Sequence, residues 1–167
     1  MIETAESWVA ALSLLPHPEG GYFKETYRST DTIPKGVFSD RFAGPRNVST
    51  GIYYLLEKGH FSAFHRIRSD EMWHFYAGGA LDLHMLDAQG HHMVRIGRDV
   101  TQGEKLQFVV PAGTWFAATP AHGSAFSLLG CTVSPGFDFA DFEMAGAREL
   151  RQQYPRHADI VDLFTRD

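Results

Sequence analysis

The chain has 167 residues, 44% hydrophobic, 13% aromatic and 21% charged, a balance that suits a folded domain over 1–167 and excludes a disordered one. The formal net charge is −5 with lysines and arginines scattered, so no basic footprint for nucleic acid is present. No run approaches the ~18 apolar residues of a membrane helix, no basic-then-apolar leader opens the chain, and the single cysteine, Cys131, cannot form an internal disulfide; a cytoplasmic protein without membrane partners is expected.

Thr4 to Leu15 predicts an amphipathic helix with Trp8, Ala11, Leu12 and Leu15 on its apolar face, capped by Thr4 and stopped by Pro16. His17-Pro18-Glu19-Gly20-Gly21 reads either as a turn into the first strand or as a loop closing one end of a pocket. A strand over Tyr22 to Ser29 follows. Thr30 to Arg46 has little periodicity and reads as a long loop, of the kind that serves as lid or contact arm. Asn47 to Glu57 is a strand with an apolar run, Ile52 to Leu56.

Gly59 to Gly79 is the informative stretch. Two short aromatic and β-branched runs flank Arg68-Ser69-Asp70 and read as strand, turn, strand, with the two strands neighbours or nearly so. Alternation places His65 on the face of Phe61, Ala63 and Ile67, and Glu71 on the face of Trp73 and Phe75. An imidazole and a carboxylate then point into one apolar interior, where an unpartnered charge is costly. The pair is therefore a candidate site, weighed against a satisfied structural ion pair.

Further strands are predicted at Ala80 to Leu86, Met93 to Ile96, Leu106 to Val110, Thr114 to Thr119 and Phe126 to Val133. His91 and His92 follow the Asp87–Gly90 turn and are expected to be exposed and dispensable. Cys131 is expected to be a packed core thiol. Phe137, Phe139 and Phe142 begin a last extended segment, and helices are predicted over Ala147 to Tyr154 and Ala158 to Phe164. Many short strands with helices only at the ends predict an all-β, two-sheet or closed antiparallel barrel.

The spacing Gly59-x5-His65-x-Ile67-x3-Glu71-x6-Gly78 resembles the first cupin motif, G-x5-H-x-H-x3,4-E-x6-G, with Ile67 in place of the second histidine. The HPEGG segment at 17–21, Glu25 to Ser29, Ser49 to Leu56, Ser69 to His74, Pro111 to Phe116 and Val133 to Phe137 resemble the "cupin-five" family, whose general activity is not settled. The resemblance implies a cupin jelly roll and a homodimer; the long 30–46 loop suits an arm that crosses to a partner.

Metal cupins of this type use three histidines and a glutamate. Here His65 and Glu71 match, Ile67 and Phe116 occupy two ligand positions, and Pro120 stands at the asparagine position of the second motif. His74 faces away from Glu71 in a regular strand; it and His122 are the other histidines weighed as ligands. No cofactor and no metal site are therefore expected. Three readings follow. The first is a metal-independent isomerase or epimerase type, with His65 and Glu71 as acid and base and a small polar or sugar-like ligand against Tyr22, Tyr54, Trp73, His74, Trp115 and Phe116. The second is a non-enzymatic binder of a small molecule in the same pocket. The third is a metal-dependent, oxygenase-type enzyme with an incomplete site, its divalent metal held at His65 and Glu71.

Overall fold

The computed structural model describes residues 4–38 and 40–166. The first element, α1 (Ala5–Leu12), is capped by the Thr4 side chain, which accepts from the Ser7 amide. It ends sooner than the sequence predicts: Ser13 turns left-handed, at φ 54°, and its amide and that of Leu14 close the last turn on Ala10 and Val9. The next residues leave the helix as a short strand, β1 (Leu15–Pro16), at a sheet edge where proline's missing N–H costs nothing. The helix therefore packs through Ala5, Trp8, Val9 and Leu12, while Ala11 and Leu15 face out.

The remaining strands are β2 (Tyr22–Arg28), β3 (Thr32–Ile33), β4 (Arg46–Asn47), β5 (Thr50–Glu57), β6 (Ser62–Arg66), β7 (Asp70–Gly78), β8 (Leu81–Asp87), β9 (Gly90–Ile96), β10 (Gln107–Val110), β11 (Trp115–Pro120), β12 (Phe126–Ser134) and β13 (Glu143–Met144). They form a six-stranded sheet in the order β1-β2-β5-β12-β7-β10 and a five-stranded sheet in the order β13-β6-β11-β8-β9. Every pairing within the two sheets is antiparallel, giving the jelly roll of the cupin fold. Helices α2 (Ala147–Gln153) and α3 (Ala158–Leu163) close the chain.

One prediction is corrected here. The strands β6 and β7 do not form a hairpin. Residues 67–69 carry the chain from one sheet to the other, so His65 and Glu71 approach the interior from opposite walls. Strand β6 also takes three steps, Ser62 to His65, against two on β11, Ala118 to Phe116. This bulge breaks strict alternation and brings Ser62 as well as His65 toward the interior.

The space between the sheets is filled by one cluster that includes Tyr54, Trp73, Leu83, Phe116 and Leu129. The outer face of the five-stranded sheet is covered by α2 and α3 through Leu150, Val161 and Phe164, which pack on Phe64, Trp115 and Ala117. On the other side α1 packs on Leu55, Phe126 and Leu128.

The 30–46 segment is not a free arm. Its ends pair as a ribbon, Thr32 with Asn47 and Ile33 with Arg46. Phe42 is buried, and Arg46 makes a buried two-pronged ion pair to Asp141 at 2.6 and 2.7 Å. That pair ties the loop to the 3-10 turn Phe139–Asp141 at the barrel mouth.

His91 is likewise not simply exposed. It is half-buried; its Nε2 lies 3.0 Å from His84 Nδ1, and its amide donates to His157 Nε2. His92 is exposed and pairs with Asp87 at 2.8 Å.

Candidate functional site

The open end of the barrel leads to a cavity of about 320 Å³. Five chemically capable side chains line it: His17, Glu19, His65, Glu71 and Cys131. Phe23, Ile52, Ile67 and Val133 form apolar wall. Phe137, Phe139 and Phe142, from the segment after β12, stand at the rim with Glu25, Arg28 and Asp138. Arg28 is fully engaged, by Glu25 on two prongs and by Asn47 Oδ1 and the Phe137 carbonyl, so it braces the rim.

His65 and Glu71 both border this cavity. Sequence reasoning missed their partner, Glu19. Its Oε2 lies 2.9 Å from His65 Nε2. The HPEGG segment puts it there. The His17 amide donates to the Gly21 carbonyl, and the Gly20 amide to the His17 carbonyl, making a tight turn. Gly20 and Gly21 have φ of 116° and 71°, and a Cβ at Gly20 would lie 2.2 Å from the Phe61 carbonyl oxygen. The turn is thus pressed against β6, where the Ala63 amide donates to the Glu19 carbonyl. The Tyr54 hydroxyl donates to the Gly20 carbonyl at 2.6 Å and holds it down. The signal was in the sequence, as an acidic residue between a proline and two glycines, but the turn's proximity to β6 was not.

The hydrogen bonds define protonation. His65 Nδ1 lies 2.7 Å from the Ala63 carbonyl, which can only accept, so Nδ1 carries a proton. Nε2 then meets Glu19 only if a second proton lies between them. Burial alone would push the His65 imidazole down, but the Glu19 carboxylate and the Ala63 carbonyl more than reverse this and raise it. Burial likewise pushes Glu19 up, and His65 overrides that, with help from His17 and Ser62, and lowers it. Both directions describe one ion pair, imidazolium with carboxylate. His17 behaves differently. Its Nδ1 accepts from the Glu19 amide at 3.2 Å, and burial lowers its pKa, so the neutral ring carries its proton on Nε2.

Glu71 is the unpaired acid. Burial, with the Glu19 charge adding to it, raises its pKa from 4.5 to about 7. Cys131 lies against it, and burial and the glutamates push that thiol well up, so it stays neutral.

The structure places the other sequence candidates as follows. Phe116 packs against His65, ring centroids 4.1 Å apart, within the inner core. Tyr54 and Trp73 lie deeper, packed edge to face at 5.8 Å in the inner core. Tyr22 packs with the α1 cluster, and Trp115 lies under α2 and α3 with Arg66 stacked at 4.3 Å. His74 points to the outer face and meets Thr132 Oγ1 at 3.1 Å. None of these six lines the cavity; its aromatic surface comes from Phe23, Phe137, Phe139 and Phe142.

The residues present do not fit a divalent metal. Ile67 and Phe116 offer no donor, and both ring nitrogens of His65 are committed. Among the described residues no group of three or more His, Cys, Asp or Glu side chains is disposed to hold one.

Residues 6–145 match the sequence family described as "Cupin superfamily (DUF985)". The chain belongs to that family. This cupin is 34% identical over 149 residues to an uncharacterised protein of Saccharomyces cerevisiae, covering 83% of this chain and 74% of that one. A hypothetical protein from Leishmania major superposes with a TM-score of 0.89 at 35% identity, over 99% of this chain and 100% of that one. A protein from Shewanella oneidensis gives 0.87 at 36% identity, over 98% of both. Oxalate decarboxylase from Bacillus subtilis gives 0.55 at 12% identity, over 89% of this cupin and 36% of that chain, a likeness of fold alone. No helix of the described residues is long and apolar enough to cross a membrane.

Proposed function

We propose that this cupin binds a small polar or sugar-like molecule in the barrel and moves a proton at a carbon next to its carbonyl group, as an isomerase or epimerase does. The observation that carries the reading is Glu71, a buried carboxyl facing a cavity with a pKa raised to about 7. At neutral pH it exists in both forms and so serves as base and, after the transfer, as acid. In the forward step the Glu71 carboxylate takes the α-proton. The C–H electron pair forms the C=C bond of an enolate, and the carbonyl π pair moves to its oxygen. The His17 Nε2–H supplies a donor for that oxygen, with the His65 imidazolium, balanced by Glu19, lining the same cavity. Glu71 then returns the proton to the same carbon, with inversion when the enolate has turned its other face to the carboxyl. Alternatively the proton goes to the former carbonyl carbon once the α-hydroxyl proton has passed to the enolate oxygen, so that the α-carbon becomes the new carbonyl. His65 acts as a fixed cation, Glu19 as the group that keeps it charged. A cytoplasmic setting accords with the buried, unpaired Cys131.

One observation favours binding without turnover. Both His65 nitrogens are bonded inside the protein, so the imidazole has no free position to exchange a proton with a ligand. The test separates the two. Sugars and small hydroxycarbonyl compounds are incubated with the protein in D2O, and NMR follows deuterium entering at the α-carbon. The proposal expects deuterium uptake that Glu71→Gln abolishes while the fold is kept. A ligand that binds with no uptake makes the protein a binder instead.

A further inference from the structure

A second concavity, of about 360 Å³, lies on the outside of the barrel behind Ile67. Three arginines border it: Arg41 from the 30–46 loop, Arg66 from the end of β6, and Arg68 from the crossover to β7. In a chain of net charge −5 this is a concentration of positive charge. The two carboxylates on its rim are already used. Asp141 is paired with Arg46 on two prongs, and Glu143 with Arg66 at 2.8 Å. Arg66 is further fixed by stacking on Trp115.

Arg41 and Arg68 differ. Among the described residues neither has a carboxylate within ion-pair distance. Arg68 donates to the Arg41 carbonyl at 2.8 Å, which ties the two segments together. The Arg41 guanidinium lies beside the rings of Phe38 and Phe42, at 5.8 and 5.9 Å. The nearby backbone donors are committed as well: the Ala112 amide to Asp70, the Gly113 amide to the Ile67 carbonyl. Two arginines without a carboxylate partner thus line one concavity, and an anion bound there would balance their charge.

We infer that this outer cavity is a binding site for a phosphate group, held by the planar forks of Arg41 and Arg68. Guanidinium donors match a tetrahedral oxyanion in charge and geometry better than they match a halide. The site is independent of the proton chemistry proposed for the barrel, with which it shares one wall. Ile67 borders both cavities and is 4% exposed, so its methyl group reports from between them.

The experiment titrates inorganic phosphate into the full chain carrying 13C-labelled isoleucine methyl groups. The expected result is a saturable shift of the Ile67 methyl with Kd on the order of 1 mM, weakened by added chloride salt. The double variant Arg41→Met, Arg68→Met should lose at least about tenfold in affinity, as the loss of charge-assisted bonds requires. Both side chains are exposed, so the fold should survive; Arg68→Gln alone gives the same direction with a smaller loss. Glycerol phosphate in place of inorganic phosphate tells the source: tighter binding marks an organic phosphate ligand, equal binding a free phosphate ion. No saturable shift at Ile67, or an unchanged shift in the double variant, overturns the inference.

Discussion

Replacing Glu71 by Gln keeps the side chain's shape and removes its charge, and the consequence for stability can be worked out. In the unfolded chain this carboxyl titrates near 4.5; in the fold, burial and the neighbouring Glu19 charge carry it to about 7. Folding therefore favours the protonated form. Below about pH 4.5 both states hold the proton and the site costs nothing. As the pH rises from there the unfolded chain ionises first, and the wild type loses stability until the folded group ionises near 7. At ~1.4 kcal/mol per pH unit, the full penalty is roughly 3 kcal/mol. Gln carries no such penalty. Urea unfolding of both proteins between about pH 4 and pH 8 should show near-equal stability at the acid end and an advantage of roughly 3 kcal/mol for Glu71→Gln at the alkaline end. A difference that stays flat with pH, or a wild type more stable than the variant at pH 8, would refute the assignment of Glu71 as a buried, unpaired acid.

The His65–Glu19 pair makes a complementary prediction. NMR titration of the imidazole should place His65 above its ordinary 6.5, and Glu19→Gln should lower it, since the carboxylate that chiefly opposes burial is then gone and only the Ala63 carbonyl and Glu71 still oppose it. The stability His65 contributes is complete below about 6.5 and fades as pH rises through its folded value. The two adjacent histidines of β9 should behave differently. His92→Ser should cost less than ~0.5 kcal/mol, whereas His91→Ser, which strips the partner of a half-buried His84 nitrogen, should cost about 1 kcal/mol in thermal or urea melts. The expected homodimer gives a light-scattering mass of two chains; a mass of one 18.7 kDa chain at micromolar concentration counts against it.

The amino-acid sequence alone determined the all-β architecture, most strand positions and two of the cavity's chemical residues. Those features depend on local rules: alternation, turn residues, and the spacing of His65 and Glu71 between glycines. Even the limits of α1 were nearly legible, missed only because Ser13 adopts a left-handed cap that its identity does not advertise. What only the tertiary structure decided was which strands face each other. A short link between two strands suggests a hairpin, but residues 67–69 cross between sheets, and no local pattern separates the two cases. The aromatic wall illustrates the same limit. Tyr54, Trp73 and Trp115 are buried as expected of large side chains. Whether a buried ring borders a cavity, a core or a helix depends on the sheet it serves and the layer it reaches. Glu19 is the clearest case. It sits 46 residues before His65 in a segment whose glycines announce a turn, yet its role arises from that turn lying against β6. An ion pair between distant segments is a property of the packed fold, because burial and proximity, which set both protonation states, exist only once the sheets have closed.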